Sequence, residues 1–475
     1  MAHRPSPIID SPHSASFVQP PDGFIPSRHV DAKLIIIMVG LPARGKSYIV
    51  KKLGRYLNWL QLNTGVFNVG ERRRKASSSL PVAGRLELEP TPDLLSAASF
   101  FNPSDATLVS LRDQLALQTL DELLHWLLNS DGRIGILDAT NSTVSRRQLL
   151  LSHIQQRSGS ETEVLFLESC CSDADILEKN IKLKLVGPDY AGKDPERSLM
   201  DFRRRIAHYE KSYVPIGRNE EDQRLPYVQM IDVGRKINTH LIRGYIQSRV
   251  VEYLLNFNLS QRQVWLSCNG QSIDDSAGRI GRNSDLSAQG TQFARALVTF
   301  INQQRQHWES QRGNHSRGSK SPFSIWTSMM PQAIQTAGEF SDSEYTKTQV
   351  RMLNDMNAGN MAGLTFDEIA ARYPEEFASR SRDKLLYRWP GIGGEGYVDI
   401  INRLRSVIVE LERTSDNLLL ITHRAVVRVL LAYFMDLRKD NLADLSLPKG
   451  SVFCFEMVRL DTRKLAPLRL TLFTQ

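Results

Sequence analysis

Short apolar runs alternate along the chain with longer stretches in which apolar residues recur every three or four positions. In the first half the runs fall at 34–39, 65–69, 133–138, 163–169 and 227–233, with helical periodicity between them. Strand-length runs separated by helical patterns predict crossover units and a parallel sheet. A helix expected to end near residue 258 closes this pattern, and a second one follows. Its strands are predicted at 263–267, 323–328, 417–422 and 451–458, and its helices include 286–302 and 397–413. The last helix places Ile400, Ile401, Leu404, Ile408 and Leu411 on one face. Two α/β units are therefore expected, 31–258 and 259–475, with no internal repeat between them.

Three stretches stand outside the pattern. Residues 1–30, rich in Ser, Pro and His, predict a disordered tail. In that tail Ser6 and Ser11 each precede proline and are candidate phosphorylation positions, the alternative being an unregulated tail. Residues 76–97 and 306–321 are polar, Pro- or Gly-containing segments and predict surface insertions.

Composition narrows the class. A chain of 475 residues exceeds one ordinary domain, and 41% hydrophobic with 24% charged residues is a soluble, globular balance. There is no apolar run of about 18 residues to span a membrane, and the N-terminus lacks the apolar core of a secretory signal. Cys170, Cys171, Cys268 and Cys454 have neither disulfide-framework nor zinc-site spacing, so a reducing cytoplasm is expected. The net charge of +8 is spread among acids and suits small anionic substrates, with little support for nucleic acid.

The strongest chemical signal lies at the end of the first run. Gly40-Leu41-Pro42-Ala43-Arg44-Gly45-Lys46-Ser47 satisfies GxxxxGK[ST], and Ile49, Val50, Leu53, Leu57 and Leu60 then follow at helical spacing. Strand, loop and helix in this order aim backbone N–H groups at phosphates, while Lys46 reaches the outer phosphates and Ser47 ligates Mg²⁺. Gly40 and Gly45 admit backbone angles and close approach that a Cβ blocks. Asp138 ends a buried run, where open α/β sheets present ligand groups; it is a candidate proton acceptor or a magnesium ligand held through water.

GLPARGKSYIVKKLGRYLNWL, VFNVGERRR, FFNP at 100–103, LDATNS at 137–142, GPDY at 187–190 and IDVGRK at 231–236 resemble the bifunctional 6-phosphofructo-2-kinase/fructose-2,6-bisphosphatase family. The resemblance runs from about Lys33 to Leu460. It implies an N-terminal P-loop kinase domain, a parallel sheet with flanking helices, followed by a histidine-phosphatase-like α/β domain. It further implies transfer of the γ-phosphoryl group of ATP, with Mg²⁺, to the 2-hydroxyl of fructose 6-phosphate, giving the glycolytic regulator fructose 2,6-bisphosphate. Gly40, Ala43, Arg44, Gly45, Lys46, Ser47 and Tyr48 match the nucleotide loop, and Asn180 an adenine-side partner. Arg112, Thr140, Arg146, Arg205 and Tyr209 match the sugar-phosphate subsite. Arg205 and Tyr209 are four apart and so share a helix face, and arginine's planar fork suits phosphate oxygens. Lys184 matches the lysine that neutralises charge on ATP. The segment from Asn180 is one residue shorter than the family pattern, which leaves Lys182 as a rival. The family is commonly dimeric, so a homodimer is a further expectation.

The second half resembles the family's histidine phosphatase domain but departs from it where the chemistry occurs. The nucleophile's Arg-His-Gly-Glu reads Cys268-Asn269-Gly270-Gln271 here. An Asn amide nitrogen is not nucleophilic, so covalent catalysis is expected to be lost. Cys268 removes a phosphate-clamping arginine, Gln332 stands in place of another, and Asp355 replaces a Glu acid with a shorter side chain. His423, Arg428, Arg380 and Lys384 survive. A substitute cysteine nucleophile at Cys268 is disfavoured, because QSIDD follows where such loops need an arginine and a backbone N–H nest. The expected protein is a kinase with a degenerate phosphatase domain. The alternatives are a bifunctional enzyme with weak residual hydrolysis, a kinase for another acceptor, and a non-catalytic sugar-phosphate and nucleotide-binding regulator.

Overall fold

A computed structural model describes residues 33–78, 98–159, 162–281, 283–311, 322–437, 441–448, 450–458, 461–464 and 468–469. The expected tail 1–30 and most of the 76–97 segment lie outside the described residues.

The first half is built on a six-stranded sheet of β1 (Lys33–Val39), β2 (Thr64–Asn68), β3 (Ile134–Asp138), β4 (Thr162–Cys170), β5 (Tyr227–Ile231) and β6 (Lys236–His240), in the order β2-β3-β1-β4-β5-β6. All pairings are parallel except that of β5 with β6. In β1 both faces are buried: Leu34, Ile36 and Met38 join one core cluster, and Ile35, Ile37 and Val39 join the other. That is why β1 reads as an unbroken apolar run. The order reverses about β1, and the crevice at the carboxyl ends of the strands follows from that reversal.

Helices α1 (Lys46–Trp59), α2 (Val69–Ser78), α3 (Ala106–Asn129), α4 (Val144–Ser158), α5 (Ala174–Leu185) and α6 (Pro195–Glu210) make the flanking layers, and α7 (Gly244–Leu255) leads out of this half. α3 covers one face with Ala116, Leu120, Leu123, Leu124 and Leu127. α1 covers the other with Ile49, Val50, Leu53, Tyr56 and Leu57, and burying each such apolar side chain contributes about 1.5–3 kcal/mol.

The second half is a seven-stranded sheet from β7 (Arg262–Cys268), β8 (Phe323–Thr327), β9 (Thr346–Gln349), β10 (Asn417–Thr422), β11 (Ser451–Val458), β12 (Asp461–Lys464) and β13 (Leu468–Arg469). β7, β10, β8 and β9 pair in parallel, with β9 at the sheet edge, and β11 runs antiparallel to β7. Helices α8 (Ala288–Gln311) and α9 (Pro331–Gly338) pack on one face. Helices α10 (Tyr397–Arg413) and α11 (Arg424–Met435) lie on the other, in the same core cluster as α1.

Several expected bounds move. The helix expected over 286–302 runs on to Gln311, so residues 306–311 of the expected insertion are helical. An Arg305–Glu309 pair at 3.2 Å and the buried Trp308 carry that extension. Residues 76–78 likewise finish α2, where Lys75 pairs with Glu71 one turn back at 2.9 Å. The run expected at 227–233 stops at Ile231 because Asp232 and Val233 adopt left-handed backbone angles (φ 47° and 49°). They turn the chain into β6, a polar edge strand that the apolar pattern does not reveal. Among the described residues no helix is long and apolar enough to cross a membrane.

Candidate active site

β1 delivers the chain to the crevice at Gly40, whose φ is 132°. A Cβ there would stand 2.5 Å from the Ser169 carbonyl oxygen on β4, so only glycine fits. The turn continues through Ala43 (φ 59°) and Gly45 (φ 87°), and α1 starts with no side-chain cap and no acid in its first turn. Its first N–H groups and the positive end of the helix dipole are left to the loop, an arrangement that suits a phosphate. Two bonds brace the outer wall: Asn180 Nδ2 donates to Ala43 O at 2.9 Å, and Ser169 Oγ donates to Arg44 O. Arg44 itself reaches Glu210 at 3.5 Å.

Lys46 is 8% exposed, and its ammonium folds back to donate to Gly40 O (2.7 Å) and Leu41 O (2.6 Å). Burial lowers its pKa to about 7; Asp138 opposes the shift, and Lys184, Arg205 and Arg44 add to it. Lys46 is thus surrounded by charges drawn from four separate elements of the chain. Lys184, at the end of α5, senses Asp138, Arg205 and Asp189. The protein around it lowers its pKa, with Asp138 the main opposing charge. Lys184 is one of the charges acting on Lys46.

Asp138 and Asn68 are register partners at the ends of β3 and β2. Asn68 Nδ2 donates to Asp138 Oδ2 at 2.6 Å, and Ser47 Oγ donates to the same oxygen at 3.2 Å. A hydroxyl and a carboxylate side by side at the mouth of an uncapped phosphate loop are the hard oxygen donors that Mg²⁺ takes together with nucleotide phosphates. These residues therefore fit Mg–ATP. Tyr48, expected with the loop residues, packs its ring edge-on against Phe257 at 6.0 Å, which leaves its main chain as the part beside the loop.

Where the sugar-phosphate subsite was expected, the carboxylate of Asp189 gathers three arginines: Arg73 at 2.7 Å, Arg205 at 2.9 Å and Arg74 at 3.3 Å. Burial works to raise the Asp189 pKa, but Arg73 and Arg205 overcome it and hold it well below the ordinary carboxylate range. Arg205 also lies over the Phe101 ring (4.0 Å), which Tyr209 meets at 5.4 Å, so the shared helix face expected for this pair is present on α6. Arg112 on α3 donates to the carbonyls of Phe100 and Asn102, and Arg146 in the first turn of α4 pairs with Asp113. Thr140 lies in the loop after β3, where its carbonyl accepts from Gly40 N at 2.9 Å.

Asn68, Arg73, Arg74 and Asp189 were not among the site residues the sequence singled out. All four sit within stretches that carry the family resemblance, and that was the available signal.

The second crevice is different. Cys268 ends β7, where burial pushes its thiol pKa up to about 12, with Arg424 opposing; a thiol so held is no thiolate at neutral pH. Asn269 donates its side-chain amide to Gly270 O at 2.8 Å. His423 is 2% exposed, with Nε2 at 2.7 Å from Ser328 Oγ and Nδ1 4.0 Å from Asp355 Oδ2. Burial lowers its pKa and Asp355 opposes. Asp355 itself accepts from Met356 N (2.8 Å). Gln332 Oε1 is buried with no hydrogen-bond partner among the described residues. The surviving cations are engaged: Arg428 with Leu445 O (2.8 Å) and Tyr397 OH (3.0 Å), Lys384 with Asp444, and Arg380 over the Phe366 and Trp389 rings.

The first half is thus a P-loop phosphotransferase scaffold, and the second an α/β sheet with phosphatase-type groups at its strand ends. Comparison with known families agrees. The 6-phosphofructo-2-kinase family profile matches residues 22–261, and that of the histidine phosphatase superfamily (branch 1) matches residues 264–464. The chain is 46% identical over 462 residues to 6-phosphofructo-2-kinase 1 of Saccharomyces cerevisiae, covering 96% of this chain and 54% of that protein. It is 39% identical over 444 residues to 6-phosphofructo-2-kinase/fructose-2,6-bisphosphatase 1 of Mus musculus, covering 93% of this chain and 86% of that one. The chain belongs to the 6-phosphofructo-2-kinase family. It spans about half the length of the yeast relative.

Proposed function

We propose that this protein transfers the γ-phosphoryl group of ATP to the 2-hydroxyl of fructose 6-phosphate, and that its phosphatase-like half does not hydrolyse the product. The convergence of donor and acceptor groups carries the reading: Lys46 is within electrostatic reach of both Asp138 and the acceptor-side Arg205. In-line transfer needs positioning and charge neutralisation more than covalent help from the protein. Lys46 and Lys184 neutralise charge on the transferred group, while Arg112, Arg146 and Arg205, with Arg73 and Arg74, hold the sugar phosphate. Ser47 and Asp138 would hold Mg²⁺, which would supply charge neutralisation during transfer. Asn68 fixes the rotamer of Asp138, so that the carboxylate faces both Ser47 and the incoming hydroxyl. The sugar phosphate takes over the arginine contacts that Asp189 makes in its absence.

Loss of hydrolysis follows from Asn269, which cannot form a phosphoenzyme, and from the missing charges at Cys268 and Gln332. The yeast relative's name carries the kinase activity alone, whereas that of the mouse relative carries both. All four cysteines are free thiols, which supports a reducing, cytoplasmic setting. The test is to incubate the purified chain with Mg–ATP and fructose 6-phosphate and locate the new phosphate by phosphorus NMR. A phosphate on C2 is expected. No turnover, or a phosphate on another carbon, overturns the assignment.

A further inference from the structure

The helix that begins with Lys46 is buried on its charged side as well as its apolar one. Lys52 (5% exposed) and Arg55 (9%) lie six and nine residues beyond Lys46, on the part of α1 that faces the second half. There one carboxylate, Glu412 near the end of α10, is 2.5 Å from Lys52 Nζ and 3.5 Å from Arg55 Nη2. Tyr433 of α11 donates to the same carboxylate at 2.5 Å and stands 3.0 Å from Tyr253 OH. Arg55 lies over the Tyr433 ring at 4.6 Å, and Trp59 Nε1 donates to Val429 O at 3.0 Å. Arg262 completes the shell by donating to Leu411 O at 2.6 Å.

Ion pairs this deep are poor glue. Desolvating the charges offsets most of their attraction, and apolar residues of like size often do as well. α1 already has apolar anchors in Ile49, Leu53, Tyr56, Leu57 and Trp59. What the charges add is direction, because a carboxylate shared between two cations and a tyrosine hydroxyl is satisfied in only one helix rotation. An α-helix transmits such a constraint as a rigid rod, and the first turn of this rod is Lys46 and Ser47.

We propose that Glu412, in the phosphatase-like half, is a positioning residue for phosphoryl transfer in the kinase half, setting the rotation of α1 and with it the placement of Lys46 and Ser47 on the nucleotide phosphates. The degenerate domain then has a use that needs no hydrolysis: it is the backing of the P-loop helix. The proposal rests on the kinase reading above. It predicts a split between the substrates, because the acceptor arginines lie on α2, α3, α4 and α6 and not on α1.

The experiment measures steady-state kinetics on the full chain. Glu412→Gln is expected to raise KM for ATP at least tenfold and lower kcat, with KM for fructose 6-phosphate unchanged within twofold. Lys52→Met combined with Glu412→Gln removes one stranded cation but does not restore the shared carboxylate, so KM for ATP is expected to stay raised; its return to the parent value would overturn the positioning role. A role confined to stability would reduce kcat through the active fraction alone, with both KM values at the parent level, and that result overturns the proposal. Should Glu412→Gln fail to fold, Glu412→Asp, which keeps the charge and withdraws it by one methylene, carries the same test with an expected threefold rise. A parent protein without turnover contradicts the kinase reading, not this one; ATP dissociation constants from calorimetry then read the same shift.

Discussion

At the end of β1, Lys46 is held by two carbonyls of its own loop, beside an uncapped helix start and a carboxylate that already orients a hydroxyl. At the end of β7 the corresponding place holds an amide bonded to the next residue's carbonyl, beside a thiol kept neutral by burial. The contrast extends outward. In the first crevice three arginines share one carboxylate, an arrangement that a phosphate can take over. In the second, Arg428, Lys384 and Arg380 are each occupied by separate carbonyl, carboxylate and ring partners. A pocket stays chemically competent when its charges converge on a place a ligand can occupy; retaining the charged residue types is not sufficient. On the proposed reading, that is how a chain keeps His423 and yet lacks the reaction His423 would assist.

Lys46→Met should break the contrast most completely, lowering kcat/KM for transfer about a thousandfold, as loss of a main charge-stabilising donor does. A thermal melt within a few degrees of the parent would show that the fold survives. Next in size, Arg205→Ala should raise KM for fructose 6-phosphate about 10–100-fold, the range for a charge-assisted hydrogen bond, and leave KM for ATP nearly unchanged. An equal rise in both would mean that the arginine cluster does not separate the substrates.

The lowered pKa of Lys46 supplies a sharper test. With a pKa of about 7 in the free protein, Lys46 is mostly neutral at pH 8. Bound triphosphate favours its charged form, so binding must draw a proton from solution. Calorimetry in buffers of different ionisation enthalpy should report uptake approaching one proton per ATP at pH 8 and much less at pH 6. It should vanish in Lys46→Met. Asn68→Ala should cost about tenfold in kcat, the low end for a hydrogen bond to a charged group, by freeing Asp138 to rotate. The smallest effect is expected from Asn269→His, which should bring no measurable hydrolysis, because Cys268 and Gln332 still lack the arginine charge. A phosphohistidine in that variant would show the second crevice to be more intact than its contacts indicate.

Much of this architecture is legible in the sequence because it rests on local patterns. The P-loop motif, the doubly buried β1 and the helix at 397–413 depend on spacing along the chain alone, and α10 occupies Tyr397–Arg413 as the periodicity predicts. What is not legible depends on distant partners. Lys52 and Arg55 fall outside the apolar spacing of Ile49, Val50, Leu53, Leu57 and Leu60, and nothing local marks them as interior; Glu412, some 360 residues later, is what receives them there. Asp189 becomes the hub of an arginine cluster because α2 and α6 bring Arg73, Arg74 and Arg205 to it. β6 escapes notice because KINTH is a polar edge strand defined by its pairing with β5 and not by its own residues.

The most direct test of the account assays one preparation of the full chain in two ways: with Mg–ATP and fructose 6-phosphate, and with fructose 2,6-bisphosphate labelled at the 2-phosphate. The account predicts steady synthesis in the first and release of labelled phosphate no faster than the uncatalysed background in the second. Hydrolysis at a rate comparable to synthesis would contradict it.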